Sequence, residues 1–589
     1  MHRGVRGGAV VLALCAALAP GGVAAGAESL VRQSSVPLPL ERLFDSTAVS
    51  DDARPGEADL DGSGASLSAQ DLAAAGWTPG RTLTVQAARL TWPDRPAGAP
   101  DHVRAAGQDV RVSGRGNALT FLATGTRGGP VEGSGTVTYA DGGGSAYRLS
   151  VPDWRRGPLA TKAVALPHVN TPEGQLTEQA RLYVVTVPLA PDREVASVRL
   201  PRAPGMHVFA LSVRAKGGGW SGSWAAATSN LQAVGPWTDR TLRLVVHTSV
   251  GGPRVRLRFD NTFAAAPVRI GGASVAVRAV GAAARERPVA VAFADAAGVE
   301  IPAGAQAFSD PLGFEVPAGA DLLVSFHLPG TVATAPVHRL GAQRSYVSGR
   351  GDHTADATGA PYTSILTSRP LLTGVDVGGG LGSVVVLGDS ITDGTMSTTD
   401  ANRRWPDVLA ARLRAQSAVP HYGVLNQGIS GNRVVFDGYP GDGVSTVTQG
   451  VSALSRFDRD VLAQASVRTA VVFEGVNDLR SGASAREVVA GLRELAERGR
   501  ARGLRMLAAT ILPCGGETRC TAAVDAERVA VNAWIRDAGV FDGVLDFDGV
   551  VRDPARPERM RAGYDSGDHL HPGDAGLAAL AESVDLGLL

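Results

Sequence analysis

The stretch Val384-Val385-Val386-Leu387-Gly388-Asp389-Ser390-Ile391-Thr392-Asp393-Gly394 decides how this chain of 589 residues is read. A short β-branched run ending in Gly-Asp-Ser places a serine hydroxyl at the C-terminal end of a strand, the edge where open α/β sheets bind ligands. A serine there acts only with a base in reach, and the far end of the chain offers Asp568-His569-Leu570-His571-Pro572. Between them lie Asn426-Gln427-Gly428-Ile429-Ser430-Gly431-Asn432 and Glu474-Gly475-Val476-Asn477-Asp478. Four small polar clusters in this order predict a serine hydrolase site.

Around that stretch the hydrophobic period alternates between strand and helix. Strands are predicted at Val384–Leu387, Gly423–Leu425, Thr469–Phe473, Arg505–Thr510 and Val544–Phe547. Ser484 and Glu487 form a capping box, and Val488, Leu492 and Leu495 follow on one helical face. Trp405, Leu409 and Leu413 share another face, with Pro406 at the helix start. Residues 376–589 therefore read as an α/β domain whose parallel sheet is covered on both sides.

Upstream the pattern is β. Runs such as Thr82–Val85, Leu119–Leu122, Thr136–Tyr139, Leu182–Val187 and His207–Leu211 are separated by Gly, Pro, Asp and Asn, as in a sandwich. One helix-like piece, Ser68–Ala75, interrupts them. Past Gly217-Gly218-Gly219 come Leu242–Val246, Val255–Phe259, Ala273–Val277 and Asp321–Phe326. Val255–Phe259 alternates strictly, which predicts one wet face. The expected organisation is a signal at 1–27, two sandwich-like all-β domains at 28–216 and 217–375, and the α/β domain at 376–589.

Basic and acidic residues balance at 57 each, so no overall field favours nucleic acid or an anionic membrane. His2, Arg3 and Arg6 precede the apolar run Ala9–Ala19, and Ala25-Gly26-Ala27 supplies a small-residue cleavage site. The run is well short of the ~20 residues that span a bilayer, so a secreted protein without stable membrane insertion is expected. Cys514 and Cys520 then remain and close a short Gly-rich loop, read as a disulfide.

In the α/β domain His571 is the expected base, with Asp568 three residues earlier fixing its tautomer. His569 is a competing base, but its offset of one from Asp568 makes mutual contact awkward. A metal pair of His569 and His571 lacks obvious partners. Oxyanion donors are expected from the Ser390 N–H, the Gly431 N–H and the Asn477 amide. No Gly-x-Ser-x-Gly elbow occurs, which argues against the ordinary α/β-hydrolase architecture.

With these blocks in place, residues 383–589 resemble the SGNH hydrolase family, also called GDSL esterases/lipases. The resemblance is carried by Gly388-Asp389-Ser390, Gly428-Ile429-Ser430-Gly431, Gly475-Val476-Asn477-Asp478 and Asp568-His569-Leu570-His571. It implies a flavodoxin-like α/β/α fold, Ser390 as nucleophile, Gly431 and Asn477 completing the oxyanion hole, and Asp568 and His571 finishing the triad. Its Asp-x-x-His spacing selects His571 over His569. Residues 220–375 resemble the β-domain that precedes such a domain in secreted actinobacterial relatives. Residues 35–215 resemble a sandwich appended to secreted glycan-active hydrolases. Asp59-Leu60-Asp61-Gly62 hints at a calcium loop without further acidic ligands, and Trp92, Trp154 and Trp220 are candidates for sugar stacking or for packing.

The expectation is a secreted, cofactor-free serine esterase deacylating a carbohydrate, with no metal and no nucleic-acid partner. Rival readings are a lipase or phospholipase of the same fold, a non-catalytic glycan-binding protein and a metal-dependent hydrolase. The sequence leaves the acyl chain and the oligomeric state open.

Overall fold

A computed structural model describes residues 36–589, so the export signal expected over residues 1–27 lies outside the described residues. In the C-terminal third, five strands form one parallel sheet: β1 (Ser383–Gly388), β2 (Gly423–Gly428), β3 (Val467–Phe473), β4 (Arg505–Ala509) and β5 (Gly543–Leu545). Their spatial order is β2-β1-β3-β4-β5, the flavodoxin-like order. Its switch point lies between β1 and β3, so chain leaving their carboxyl ends diverges and opens a crevice there.

Eight helices complete this layer arrangement: α1 (Ser390–Asp393), α2 (Trp405–Arg414), α3 (Ala453–Phe457), α4 (Val476–Leu479), α5 (Ala485–Arg500), α6 (Ala522–Asp537), α7 (Phe547–Val551) and α8 (Asp574–Ser583). Alternate side chains of β1 serve opposite cores, as the strand period requires. Val385 and Leu387 pack with Val488, Leu492 and Leu495 of α5 and with Val531 of α6. Val384 and Val386 pack with Trp405, Leu409 and Leu413 of α2 and with Leu577 of α8. Each such fully buried aliphatic side chain contributes roughly 1.5–3 kcal/mol. The Ser484–Glu487 capping box is formed. The last predicted strand is shorter than expected: Asp546 caps α7 with its side chain, so Phe547 begins a helix.

The upstream residues form four larger β-sheets. In one, the long strands Asp109–Gly125 and Arg202–Ala215 pair antiparallel, with Phe121 opposite Leu211. In another, Asn230–His247 pairs with Asp321–His338 over most of its length. The helix-like piece is Ala69–Ala74, capped by Ser68. The hairpin Thr82–Val85/Ala88–Thr91 leaves the first β-region and joins the sheet of Gly252–Asp260, through Gln306 opposite Thr84. Leu83, Trp92, Phe259 and Leu322 accordingly share one apolar core.

The wet face predicted for Val255–Phe259 is largely covered, with Arg256 half-buried. Arg258 is 3% exposed and donates to Gln464 of the α/β layer at 2.7 Å, and Arg256 pairs with Asp376. The polar face of this strand packs in large part on the neighbouring layer and borders a cleft. The strand Trp220–Ala225 runs beside β2, the edge of the parallel sheet, where Gly222 N–H donates to Ser383 Oγ at 2.8 Å and Gly382 N–H to Ser221 Oγ at 2.9 Å. A Cβ at Gly423 would come 1.8 Å from the Gly222 carbonyl, so glycine permits this approach and the exposed edge is covered.

Candidate active site

β1 ends at Gly388, where a Cβ would stand 2.1 Å from Thr392 Oγ1, so only glycine lets the chain turn tightly into α1. Asp389 caps α1, its Oδ1 accepting from Ile391 N–H at 2.9 Å, and Ser390 becomes the first helical residue. Ser390 Oγ lies 2.7 Å from His571 Nε2. His571 Nδ1 lies 2.6 Å from Asp568 Oδ2. A carboxylate can only accept, so Nδ1 carries the proton, Nε2 presents its lone pair and the serine hydroxyl donates to it. Burial opposes ionisation of Asp568, but the His571 backbone N–H, the imidazole and the Leu570 N–H outweigh it and hold the carboxyl at about 2. The carboxylate is thus ionised across the whole neutral range.

His569 is turned elsewhere. Its backbone is left-handed at φ +62°, and its Nδ1 lies 2.6 Å from Asp565. The structure therefore brings His571, not His569, to Ser390. Among the described residues no group of three His, Cys, Asp or Glu side chains is placed to hold a metal ion. Asp59 and Asp61 accept from the backbone N–H groups of their own loop.

The other side of the site uses Gly431 and Asn477. Gly431 has φ +82°, and a Cβ there would meet Gln449 at 2.7 Å. Its N–H has no acceptor among the described residues. Asn477, on α4 just after β3, accepts through Oδ1 from Arg480 at 3.0 Å and donates through Nδ2 to Asn432 O at 3.1 Å. Because arginine only donates, Arg480 fixes the amide orientation and leaves the Nδ2 end towards Asn432, which follows Gly431. Arg480 is held in turn by Glu517 inside the loop closed by the Cys514–Cys520 disulfide. Beside Asp568 an open recess of about 400 Å³ is lined by Arg480, Gly516, Glu517, Thr518, Asp568 and Leu570.

Three further groups support the site, and of these Arg456 carries no local sequence signal. Arg456 of α3, fully buried, donates to Gly388 O at 3.0 Å, Gln427 O at 2.7 Å and Asn432 Oδ1 at 2.9 Å. It also pairs with Asp460 and Glu474, so one guanidinium fastens the ends of β1, β2 and β3 together. Asp393 of α1 accepts from Ser430 N–H and Oγ and lies 3.1 Å from His338 of the second β-region. The segment after Gly431 is tied down by Asp478, which accepts from Val434 and Val435, and by Asn230, which donates to Ser445 O. Beneath the site burial pushes Asp389 up to about 7 and Asp478 up to about 6. Burial and the neighbouring Asp389 also push Glu474 up, against the pull of Arg456.

The candidate sugar-stacking tryptophans are differently placed. Trp92 and Trp154 are buried at 3% and 2% exposure, and the Trp220 ring is covered by Arg254 and Arg256.

Comparison with known proteins adds an independent view. Residues 386–579 match the GDSL-like lipase/acylhydrolase family, and residues 32–217 match an AziU2-like β-sandwich domain. No curated protein matches the chain. Similar solved structures include a GDSL-like lipase from Bacteroides thetaiotaomicron, at 18% identity over 35% of this chain and 87% of that one, with TM-score 0.27. The M. smegmatis aryl esterase is 14% identical over 34% of this chain and 94% of its own, TM-score 0.27. A catalytic mutant of an acetylxylan esterase from Geobacillus stearothermophilus is 18% identical over 35% and 92%, TM-score 0.27. Residues 386–579 are thus a GDSL-like lipase/acylhydrolase domain, the hydrolase part of a chain whose first sandwich is AziU2-like.

Proposed function

We propose that this domain is a serine esterase that works through an acyl-enzyme and removes acyl groups from a carbohydrate. The observation that carries the reading is the unbroken chain Ser390 Oγ, His571 Nε2, His571 Nδ1, Asp568 Oδ2, with links of 2.7 and 2.6 Å. Ser390 Oγ attacks the ester carbonyl as its proton passes to His571 Nε2, and Asp568 stabilises the imidazolium. The N–H groups of Ser390 and Gly431 and the Asn477 amide receive the developing oxyanion. His571 then protonates the leaving alkoxide, and water activated by the same imidazole releases the acid and restores Ser390.

The polar recess beside Asp568 supports a hydroxylated alcohol, since Arg480, Glu517 and Thr518 can meet hydroxyl groups and Leu570 is its one sizeable apolar wall. The disulfide supports export, after cleavage near Ala27, into an oxidising compartment. No helix of the described residues is long and apolar enough to cross a membrane. A lipase reading has one observation of its own: Phe436, Val444 and Val447, on the segment after Gly431, are 44%, 54% and 40% exposed and could receive a long acyl chain.

Hydrolysis of acetyl, butyryl and long-chain nitrophenyl esters, of acetylated xylan and of phospholipid by the wild type and Ser390→Ala tests these readings. Short-chain and xylan activity that vanishes in the variant supports the carbohydrate esterase. Preference for long chains or phospholipid favours the lipase, and full activity in Ser390→Ala refutes the mechanism.

A further inference from the structure

A large cleft among the described residues lies away from Ser390. It has a volume of about 1030 Å³ and opens at the opposite end of the parallel sheet. Its floor is the chain entering β1, β3 and β4, at Gly382, Ser466 and Gly503. With a rise of about 3.3 Å per residue along β1, it lies roughly 20 Å from the nucleophile. Its other walls come from the hairpin Thr82–Thr91, the strand Gly252–Asp260 and the Gly217-Gly218-Gly219 connection, so three regions of the chain meet there.

Eight basic side chains line this cleft against three acidic ones, in a protein whose overall charge is balanced. Arg81, Arg256 and Lys216 have carboxylate partners in Glu300, Asp376 and Asp192. Arg89, Arg214, Arg258 and Arg468 form no ion pair with a described carboxylate. Asp310, the one lining acid outside an ion pair, accepts from the Ala294 and Asp295 backbone N–H groups.

Arg214 is the most telling of the four. It is 1% exposed, donates through Nε to Asn117 at 2.9 Å, and its Nη2 finds no acceptor among the described residues. Burial pushes its guanidinium down to about 10, because the nearby Asp458 carboxylate does not offset the loss of water. Arg502, from the far wall, pairs with Asp458 at 3.8 Å through Nη2 but has an Nε with no acceptor among the described residues. Buried guanidinium groups are costly unless an anion meets them, and their planar forks match carboxylate and sulfate oxygens.

We propose that this cleft binds an acidic oligosaccharide segment, its carboxylate or sulfate groups received by Arg214, Arg258, Arg89 and Arg468. Thr82, Thr84, Asn117 and Gln306 along the walls offer partners for sugar hydroxyls. A nucleic acid fits less well, because single-strand binding relies on open aromatic faces. Here the Trp220 ring is covered by Arg254 and Arg256, and Arg256 also lies over Phe308. The site is separate from the ester-cleaving centre and does not depend on the reading given to it. It gives the chain a hold on an acidic polymer apart from Ser390.

Titration calorimetry of the full chain with oligogalacturonate, dextran sulfate oligomers, neutral dextran and single-stranded DNA, at low and high salt, tests the assignment. The paired variant Arg89→Ala/Arg468→Ala changes two exposed side chains without ion pairs and keeps nitrophenyl acetate hydrolysis as a control for the other site. Salt-sensitive binding of one or both acidic saccharides, weakened at least tenfold in the variant and absent with neutral dextran, is the expected result. The two acidic probes separate a carboxylate from a sulfate preference. No binding of either acidic saccharide, binding unchanged in the variant, or stronger binding of the DNA overturns it. Arg214→Met gives a second reading: lost binding with the same melting temperature supports the buried arginine as an anion receptor, and retained binding contradicts that role.

Discussion

Asp568 and His571 stand within four residues and orient each other through the Asp568 carboxylate, whereas Gly431 and Asn477 belong to different strand exits and are set by residues from the whole chain. The first pair is a loop that carries its own scaffold. The second depends on Arg456 at the ends of three strands, on Arg480 and Glu517 in the disulfide loop, and on Asp393 with His338 from a β-region. A site can thus combine an Asp–His pair scaffolded within its own loop with a glycine N–H and an amide that are set by tertiary structure. Mutations in the supports should separate the two.

The largest effect in the supports is expected at Arg456. Replacing it with Leu leaves Glu474 buried without its cation and three strand ends unfastened, while Asp460 keeps Arg459; breaking such a buried pair costs about 3–5 kcal/mol. Chemical denaturation should show a loss of that size, with the Asp568–His571 loop unaffected in its local contacts. A loss below 1 kcal/mol would mean the strand ends are held by other means.

Asn477→Ala should leave the fold intact and lower kcat by about 10²–10³, the effect of removing one oxyanion donor. KM should change little, because the donor acts on charge that develops only in the transition state. An effect on KM alone would make Asn477 a substrate-binding residue instead.

Asp389→Asn sharpens the comparison through pH. Folding raises this carboxyl to about 7, so between the unfolded value of about 3.9 and 7 the native state holds a proton that the unfolded chain has lost. Stability therefore falls as pH rises through that window, and the penalty is complete above it. The amide keeps an acceptor for the Ile391 N–H and removes the titration. Melting temperatures of the variant should decline less between pH 5 and pH 8 than those of the wild type.

The same contrast explains what was legible in the sequence. The β1 run, the helix faces of α2 and α5 and the Asp-x-x-His spacing are local patterns, and each appears in the structure where the pattern puts it. Arg456 gave no sign, because its partners at Gly388, Gln427 and Glu474 are distant in sequence and two are backbone carbonyls. The alternation of Val255–Phe259 predicts a wet face because neither Gln464 nor the covering layer can be inferred from that strand alone. The hairpin at Thr82–Thr91 was assigned to its sequence neighbours, whereas its pairing with Gln306 is set by a shared core. Phe547 was read as strand because its apolar character hid the helix start that Asp546 creates.

The central claim is that Ser390, activated by His571, forms the covalent intermediate. Mass spectrometry of the intact and digested protein after reaction with a fluorophosphonate tests it most directly. A single adduct on the peptide containing Ser390, formed by the wild type and strongly slowed in His571→Ala, is the predicted result. An adduct on another residue, or labelling of Ser390 at the same rate in His571→Ala, would contradict the account.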